Sequence, residues 1–299
     1  MTTIAFIGLG TMGAPMARNL LRSGFKVRIY DVNPDVVGLV SKDGGLAVRS
    51  AADAALGANI VITMLPNGEH VESALFGQNG VIEVATPGTL VIDMSTILPI
   101  VTDEIAVRLA KIGLRFVDAP VGRSSQHAVD GKLLIMVGGS DADVASARPI
   151  LEKLGDTIVH CGTVGTGSRM KIVNNFMSIT LNATTAEALT LAEASGVDPE
   201  LARQVMLGTV AGQGHMGTTY PAKVLKSDLS PGFMIDLAAK DLGLALSLAK
   251  RLGLDLDTGV AAQSVYRSAQ EHGLGRQDWT AIYEAKRATL KFKFLLNSK

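Results

Sequence analysis

The chain has few of the features that mark secreted, membrane-spanning or nucleic-acid-binding proteins. Cysteine occurs once, at Cys161, so no internal disulfide can form, which favours a reducing, cytoplasmic compartment. Aromatic residues make up only 4% of the chain, so any core must be mainly aliphatic. The 28 basic residues are balanced by 28 acidic residues, whereas nucleic-acid-binding proteins usually carry a basic excess. We therefore expect no nucleic-acid partner, and we interpret Cys161 as a small hydrophobic residue rather than a nucleophile.

Long hydrophobic runs are also missing. A helix needs about 20 apolar residues to span a bilayer, and no uncharged apolar stretch here approaches that length. Residues 1–8 have no basic residue ahead of their apolar run, so we expect neither a signal peptide nor a membrane partner. Hydrophobic residues nevertheless make up 47% of the 299 residues, which is enough for two domains with buried cores.

The first half of the chain alternates short apolar runs with helical patterns. Strands are predicted at 4–8, 26–30, 59–64, 89–94, 115–118 and 133–137, and the segment 12–23 has helical spacing. Strands that alternate with helices are typical of βαβ units and a parallel sheet.

From about residue 167 the pattern becomes helical. The segment 168–195 is one long helical pattern without glycine or proline, and helices are also predicted at 202–207, 233–252 and 260–272. The segment 161–167 is rich in glycine and threonine and indicates a turn between domains. We therefore predict an α/β domain at 1–163, an all-α domain at 164–299, and a long helix that connects them.

A glycine turn follows the first predicted strand and opens the first predicted helix. Gly8 permits a tight turn, Gly10 lets a pyrophosphate approach the backbone, and Gly13 allows close packing of helix on strand. The helix N-terminus offers free N–H groups and the positive end of its dipole to the phosphates. This pattern predicts a Rossmann domain with a nicotinamide dinucleotide bound on Gly8, Leu9, Gly10, Thr11, Met12 and Gly13.

Three further segments extend the predicted cofactor site. Asp31 ends the second strand, 18 residues after Gly13. A carboxylate there accepts hydrogen bonds from ribose hydroxyls and repels a 2′-phosphate, which favours NADH over NADPH, although a turn or capping role is the alternative. Two loops follow later strands at the edge where open α/β sheets bind ligands, and ordinary turn roles are again the alternative. The residues predicted to contact the cofactor there are Met64, Leu65, Pro66, Ser95 and Thr96.

The long helix carries a polar stripe. Lys171, Asn174, Asn175 and Ser178 have the spacing of one helix face, which Asn182 extends by one turn. We expect the apolar positions around the stripe to be buried, namely Ile172, Val173, Phe176, Ile179 and Leu181. Paired asparagines are poor helix formers, and a broken local rule is typical of a functional site. Carbonyl reduction needs a proton donor, and a partly desolvated lysine has a lowered pKa suited to that task. A solvated or inter-subunit face is the alternative.

These motifs together resemble the β-hydroxyacid dehydrogenases, which include 3-hydroxyisobutyrate dehydrogenase and tartronate semialdehyde reductase. The matching segments are 6–13, the Asp-Ala-Pro-Val sequence at 118–121, the pattern Gly167-x-x-x-Lys171-x-x-x-Asn175, and 240–242. The resemblance implies a Rossmann domain followed by a helical domain, with Lys171 as the catalytic acid/base. It also implies that Lys240 lies close to the cofactor and the substrate, and that the chain forms dimers or tetramers.

One loop departs from the family pattern. The family usually has Ser-Gly-Gly after Asp-Ala-Pro-Val, and here Gly122, Arg123 and Ser124 take those places. That loop holds the substrate's acid group in the family, and a guanidinium is suited to a sulfonate or phosphate, unless Arg123 turns outward to solvent.

The Gly-Arg form is most similar to the sulfolactaldehyde reductase branch, as are segments 174–178, 223–231, 233–237 and 275–279. This similarity implies NADH-dependent reduction of 3-sulfolactaldehyde to 2,3-dihydroxypropane-1-sulfonate during sulfoquinovose breakdown. Arg123, Asn174 and Ser178 would hold the sulfonate, and Lys171 would protonate the aldehyde oxygen. Gly122, Ser124 and Asn175 would also lie at the substrate.

Two alternatives remain open at this point. The substrate could instead be a carboxylate, namely tartronate semialdehyde, succinic semialdehyde or the methylmalonate semialdehyde/3-hydroxyisobutyrate pair. The chain could also be a nicotinamide-binding sensor without turnover. No cysteine or carboxylate cluster at metal-ligand spacing accompanies His127 or His215, so we expect no metal and interpret both as structural or pocket-rim residues. We expect Trp279 to pack in a core or interface.

Overall fold

The structure is a computed structural model, and it describes residues 2–288. Its internal contacts divide the chain into two compact units, Met1–Phe176 and Met177–Lys299. This division falls inside the long helix, whereas the boundary predicted from the sequence, between residues 163 and 164, precedes that helix. The domain boundary therefore stays a prediction. Among residues 2–288, no helix combines the length and apolar character that crossing a membrane requires.

The first unit is built on one nine-stranded sheet. Its strands are β1 (Thr3–Ile7), β2 (Lys26–Tyr30), β3 (Leu46–Ala47), β4 (Ile60–Thr63), β5 (Leu90–Asp93), β6 (Arg115–Asp118), β7 (Val121–Gly122), β8 (Leu133–Gly138) and β9 (Gly155–Gly162). The order is β3-β2-β1-β4-β5-β6-β8-β7, with β9 paired to β8. The first six strands in this order, β3-β2-β1-β4-β5-β6, are parallel to one another. Strand β8 is antiparallel to β6 and β7, and β9 is parallel to β8.

Helices cover both faces of this sheet, which is the arrangement that a parallel sheet requires. They are α1 (Gly13–Arg22), α2 (Pro34–Lys42), α3 (Ala51–Ala55), α4 (Gly68–Phe76), α5 (Pro99–Ala110), α6 (Ser125–Val129) and α7 (Asp141–Leu151). Successive residues of β1 point to opposite faces. Ile4 and Phe6 accordingly belong to one aliphatic core, and Ala5 and Ile7 belong to the other.

Seven helices follow the sheet in the described chain. They are α8 (Thr166–Ala194), α9 (Pro199–Leu207), α10 (Val210–Gln213), α11 (Thr219–Ala222), α12 (Ile235–Arg251), α13 (Asp257–Glu271) and α14 (Ile282–Ala288). Within the second unit, the Glu187 carboxylate accepts hydrogen bonds from the backbone N–H of Thr258 at 2.8 Å and from its hydroxyl at 2.6 Å, at the start of α13. Trp279 packs edge-on against His215 and Phe233, as expected for a packing residue.

The α/β class, the Rossmann domain and the helical domain after it are confirmed, including the long helix. Three strands were not predicted, and β9 is the longest of them. The segment 161–167 is not a simple turn, because Cys161 and Gly162 end β9 and α8 begins at Thr166. Pairing with β8 holds the first two residues of the segment in the sheet, and the predicted turn is confined to residues 163–165.

Candidate active site

The glycine turn lies between β1 and α1 and is shaped by backbone contacts. Gly8 has φ +97°, and a Cβ there would overlap the carbonyl oxygen of Met64. A Cβ on Gly13 would overlap the carbonyl oxygen of Gly8, so α1 can start this close to β1 only with glycine at both positions. A Cβ on Gly10 would meet no atom within 4 Å. The turn therefore leaves open space at Gly10, where the backbone can receive a phosphate.

Asp31 is tied directly to this turn. One carboxylate oxygen accepts the backbone N–H of Leu9 at 2.6 Å, and the other accepts that of Asn33 at 2.8 Å. Asp31 and Gly8 line the same cavity of about 330 Å³, which also contains Arg49. Arg49 was not singled out in the sequence because it lies 18 residues beyond Asp31. The cavity thus holds charges of both signs, and both bear on whether it takes a 2′-hydroxyl or a 2′-phosphate.

The loops after β4 and β5 also meet at this edge of the sheet. The backbone N–H of Leu65 donates to the Ser95 hydroxyl at 2.9 Å, and Leu65 and Pro66 line the cavity that contains Asp31. Ser95 is buried, Met64 is half-buried and Thr96 is exposed. The observed role of the Ser95 side chain is therefore to fix the preceding loop.

A second cavity lies between the glycine turn and α6. It has a volume of about 510 Å³, and Leu9, Gly10 and Thr11 line it together with Ser125 and Gln126. The structure therefore brings the predicted cofactor turn next to the segment that follows the predicted substrate loop.

Arg123, in that substrate loop, has a backbone and side chain that are both constrained. Its φ of +74° lies in the left-handed region that favours glycine. Its guanidinium donates to the Lys132 carbonyl oxygen and to an Asp156 carboxylate oxygen, each at 2.5 Å, and to the Thr157 hydroxyl at 3.0 Å. Arg123 is therefore exposed but already paired with the Asp156 carboxylate. The adjacent Ser124 hydroxyl lies 2.8 Å from Nδ1 of His127, on the rim of the loop.

Lys171 lies in the second turn of α8 and is half-buried. Burial lowers the pKa of its ammonium group. Asn175 is also half-buried, whereas Asn174 and Ser178 are exposed, and the Asn174 amide contacts the Asn175 side-chain oxygen at 3.4 Å.

The expectation that the rest of this helix is buried is wrong for the single chain. Val173 is 63% exposed, Phe176 72% and Ile179 68%, while Ile172 and Leu181 are also exposed. A helical period shows which residues share a face, but it does not show whether the same chain supplies the surface that covers them.

Lys240 and His215 belong to the second unit. Lys240 lies on α12 with its ammonium 2.8 Å from a carboxylate oxygen of Asp241. His215 contacts the Thr219 hydroxyl at 2.8 Å, and burial lowers its pKa. These contacts with neighbouring residues are typical of a histidine with a structural role.

Asp118 is a second functional candidate, after Arg49, that was missed in the sequence. Asp118 had been noted only as part of a motif, yet its buried carboxylate holds the start of α8. Only the sheet order brings residue 118 to residues 165–168, so no local pattern could have found this contact.

Comparison with known proteins gives consistent matches along the chain. A family model described as the NAD binding domain of 6-phosphogluconate dehydrogenase matches residues 3–162. A second, described as NAD-binding of NADP-dependent 3-hydroxyisobutyrate dehydrogenase, matches residues 165–285. The chain is 48% identical to 3-sulfolactaldehyde reductase of Escherichia coli (strain K12), over 97% of each chain. It is 38% identical to NAD-dependent L-serine dehydrogenase of Pseudomonas aeruginosa, over 94% of this chain and 97% of that protein.

A solved structure extends these matches to the fold. The structure of Mycobacterium tuberculosis 3-hydroxyisobutyrate dehydrogenase with L-serine is 35% identical in sequence, with a TM-score of 0.68. The match covers 96% of this chain and 99% of that chain.

Proposed function

The chain belongs to the β-hydroxyacid dehydrogenase family, which contains 3-hydroxyisobutyrate dehydrogenase and whose members are NAD(P)-dependent oxidoreductases, and we propose that it reduces 3-sulfolactaldehyde with NADH. The product would be 2,3-dihydroxypropane-1-sulfonate, formed during sulfoquinovose breakdown in the cytoplasm. The reaction type is supported above all by one observation: a half-buried Lys171 with a lowered pKa, on a helix whose start is hydrogen-bonded to Asp118 at the end of β6.

The residues at the glycine turn fit a dinucleotide. Gly10 leaves room for a phosphate, the N-terminus of α1 has no side-chain cap, and Asp31 lies in the adjoining cavity. NADH held by these residues would supply the hydride for the new C–H bond at the aldehyde carbon. The Lys171 ammonium donates a proton to the aldehyde oxygen as its C=O π bond breaks, so that an alcohol leaves and a neutral amine remains. In alcohol oxidation the neutral amine would accept that proton instead.

The sulfonate is the part of the proposal that depends on Arg123. It is supported by the 48% identity to a protein named 3-sulfolactaldehyde reductase and by the guanidinium's fit to an oxyanion. Arg123 pairs with Asp156, so substrate binding would exchange one anionic partner for another. Asn174 and Ser178, together with Gly122, Ser124 and Asn175, would complete the substrate site, and Lys240 would lie at the cofactor.

We expect Arg123→Ala to lower kcat/KM for 3-sulfolactaldehyde by about tenfold or more relative to carboxylate aldehydes, because a charge-assisted bond worth over about 1.4 kcal/mol is lost for the sulfonate alone. A coupled NADH assay over sulfonate, phosphate and carboxylate aldehydes measures this ratio. Arg115→Ala is the matched control, since Arg115 is similarly exposed and also pairs with an aspartate at 2.5 Å. Equal losses on all substrates in Arg123→Ala would rule out the sulfonate assignment.

A carboxylate aldehyde is the second candidate substrate, favoured by one observation. If Arg123 keeps its bonds to Asp156 and Lys132, the substrate's acid group would be held by backbone amides and Ser124 instead. Tartronate semialdehyde, succinic semialdehyde and methylmalonate semialdehyde would then react faster than the sulfonate in the same assay.

We also propose that NADH is preferred over NADPH, because the Asp31 carboxylate repels a 2′-phosphate. We expect Asp31→Asn to lower the kcat/KM ratio of NADH to NADPH by about tenfold, which corresponds to about 1.4 kcal/mol. Arg49→Ala should change the ratio in the opposite direction, since Arg49 lines the same cavity with a positive charge. A wild-type enzyme with higher kcat/KM for NADPH would contradict the preference.

Association into dimers or tetramers is a further part of the proposal. The support for it is the exposed apolar face of α8, where Val173, Phe176 and Ile179 face solvent in the single chain. We propose that residues 164–299 form the domain that associates and contributes to the substrate site.

A further inference from the structure

We propose that Asp118 is a positioning residue, whose buried carboxylate fixes the first turn of α8 to the end of β6 and thereby sets the place of Lys171. The inference rests on the proposed role of Lys171 as proton donor. It concerns a side chain that neither donates the proton nor contacts the glycine turn in the contacts described above.

Both oxygens of the Asp118 carboxylate are used at the start of α8. One accepts the backbone N–H of Gly165 at 2.7 Å, and the other accepts the backbone N–H of Ser168 at 2.7 Å. The first N–H groups of a helix have no intrahelical partner, and an anion at that end is also favoured by the helix dipole. Asp118 is fully buried, so water cannot replace these two bonds without the helix start moving.

The backbone at the start of α8 also lies very close to the backbone at the ends of β6 and β8. A Cβ on Gly167 would overlap the Met136 carbonyl oxygen and lie 2.8 Å from the Asp118 carbonyl oxygen and 2.9 Å from the Gly138 nitrogen. The first turn of α8 therefore rests directly on the ends of β6 and β8. This close approach gives a physical reason for glycine four residues before Lys171.

Two contacts from α5 hold the same turn from another side. The Thr102 and Ser168 hydroxyls lie 3.1 Å apart, and the Arg169 guanidinium binds both carboxylate oxygens of Asp103, at 2.6 and 3.1 Å. Lys171 follows Ser168 by three residues and so lies on the same helix face, one turn farther along. A shift at the anchored turn is thus passed to Lys171 along a rigid helix.

The charge of the Asp118 carboxylate contributes to holding the start of α8, as does the close packing of the backbone. Burial raises the pKa of the Asp118 carboxyl, and the two backbone N–H donors act in the opposite direction. Asp93 lies opposite Asp118 in register on β5 and is equally buried, but it bonds Thr63 and Ser95 rather than α8. Asp93 therefore offers a matched control for the loss of a buried carboxylate at this sheet edge.

The test uses two variants that disturb the contact between the first turn of α8 and the strand ends in different ways. Asp118→Asn keeps the shape but turns an N–H₂ donor toward one of the two backbone N–H groups. Gly167→Ala keeps every charge but forces the turn off the strand ends. We expect each to lower kcat by about tenfold to a hundredfold, because a misplacement near 1 Å costs about that much, while the Kd for NADH changes by less than about twofold.

Hydrogen exchange measured by mass spectrometry gives a readout that does not depend on activity. Peptides covering 163–172 should exchange faster in both variants. They should exchange at the wild-type rate in Asp93→Asn and in Gly38→Ala, which adds a methyl to α2 where a Cβ meets no atom within 4 Å. Gly38→Ala should also leave kcat unchanged.

Unchanged kcat in both variants, or unchanged exchange at 163–172 with a reduced kcat, would overturn the proposal. A parallel loss of kcat, NADH affinity and melting temperature would indicate a purely structural role and would also overturn it. If one variant does not fold, the other decides. Failure of the proposed function can be told apart from failure of this inference. If Lys171 is not the proton donor, Lys171→Ala retains activity, whatever the hydrogen-exchange rates at 163–172 are.

Discussion

We expect Lys171→Ala to lose about 10²- to 10⁴-fold in kcat for aldehyde reduction, the range that a positioned acid or base contributes. Without the ammonium group, the oxygen that receives negative charge during hydride transfer loses the proton donor that we assign to it. The Kd for NADH should stay within about twofold of the wild type, because the residues that shape the cofactor turn lie at Gly8 to Gly13. Single-turnover measurements of NADH oxidation separate this chemical step from binding.

The pH dependence of kcat is a second, independent test of Lys171 as the proton donor. Burial lowers the Lys171 pKa, so the amine loses its proton at a lower pH than an exposed lysine does. Reduction needs the protonated form, and its kcat should fall as pH rises through that pKa. Oxidation of the alcohol needs the neutral amine, and its kcat should rise over the same interval. Lys171→Ala should lack both limbs.

Lys153→Ala is a suitable control, since Lys153 is exposed in the turn after α7. Full activity in Lys171→Ala would show that the polar stripe of α8 is not catalytic. A wild-type protein that binds NADH but reduces no aldehyde in the panel would favour a nicotinamide-binding sensor.

The second large effect is expected at Gly13. A Cβ there would overlap the Gly8 carbonyl oxygen, 3.0 Å from the Gly8 carbonyl carbon and 3.3 Å from the Phe6 ring. Backbone cannot yield as a flexible side chain can, so the glycine turn must open. We expect Gly13→Ala to weaken NADH binding by about a hundredfold, which corresponds to about 2.7 kcal/mol, and to lower stability by about 1–3 kcal/mol.

Gly10→Ala distinguishes a damaged turn from a blocked phosphate site. Its Cβ meets nothing within 4 Å, so thermal stability should match the wild type. NADH fluorescence titration should still show weaker binding, because the methyl group takes the space left for the pyrophosphate. Equal NADH affinity in wild type, Gly10→Ala and Gly13→Ala would contradict the placement of the cofactor.

Much of the fold could be predicted because its signals are local. The strands at 26–30 and 115–118 begin and end where the pattern placed them, and the long helix begins two residues before its predicted start. β9 was missed because its apolar centre is short and glycine lies at both of its ends, whereas pairing with β8 extends the strand over Gly155–Gly162. The exposed face of α8 was predicted to be buried because a period reports amphipathicity rather than contact.

The sequence by itself determined the strands and helices of the α/β class, the glycine turn, and the polar stripe that contains Lys171. Each of these depends on residue spacing within one element or one turn. Only the tertiary structure decided what Asp118 and Arg123 contact and which cavity Arg49 lines. Asp118 reaches Gly165 and Ser168 across 47 and 50 residues, and Arg123 reaches Asp156 across 33. Such contacts follow from the order of strands in the sheet, which residue spacing along the chain does not encode.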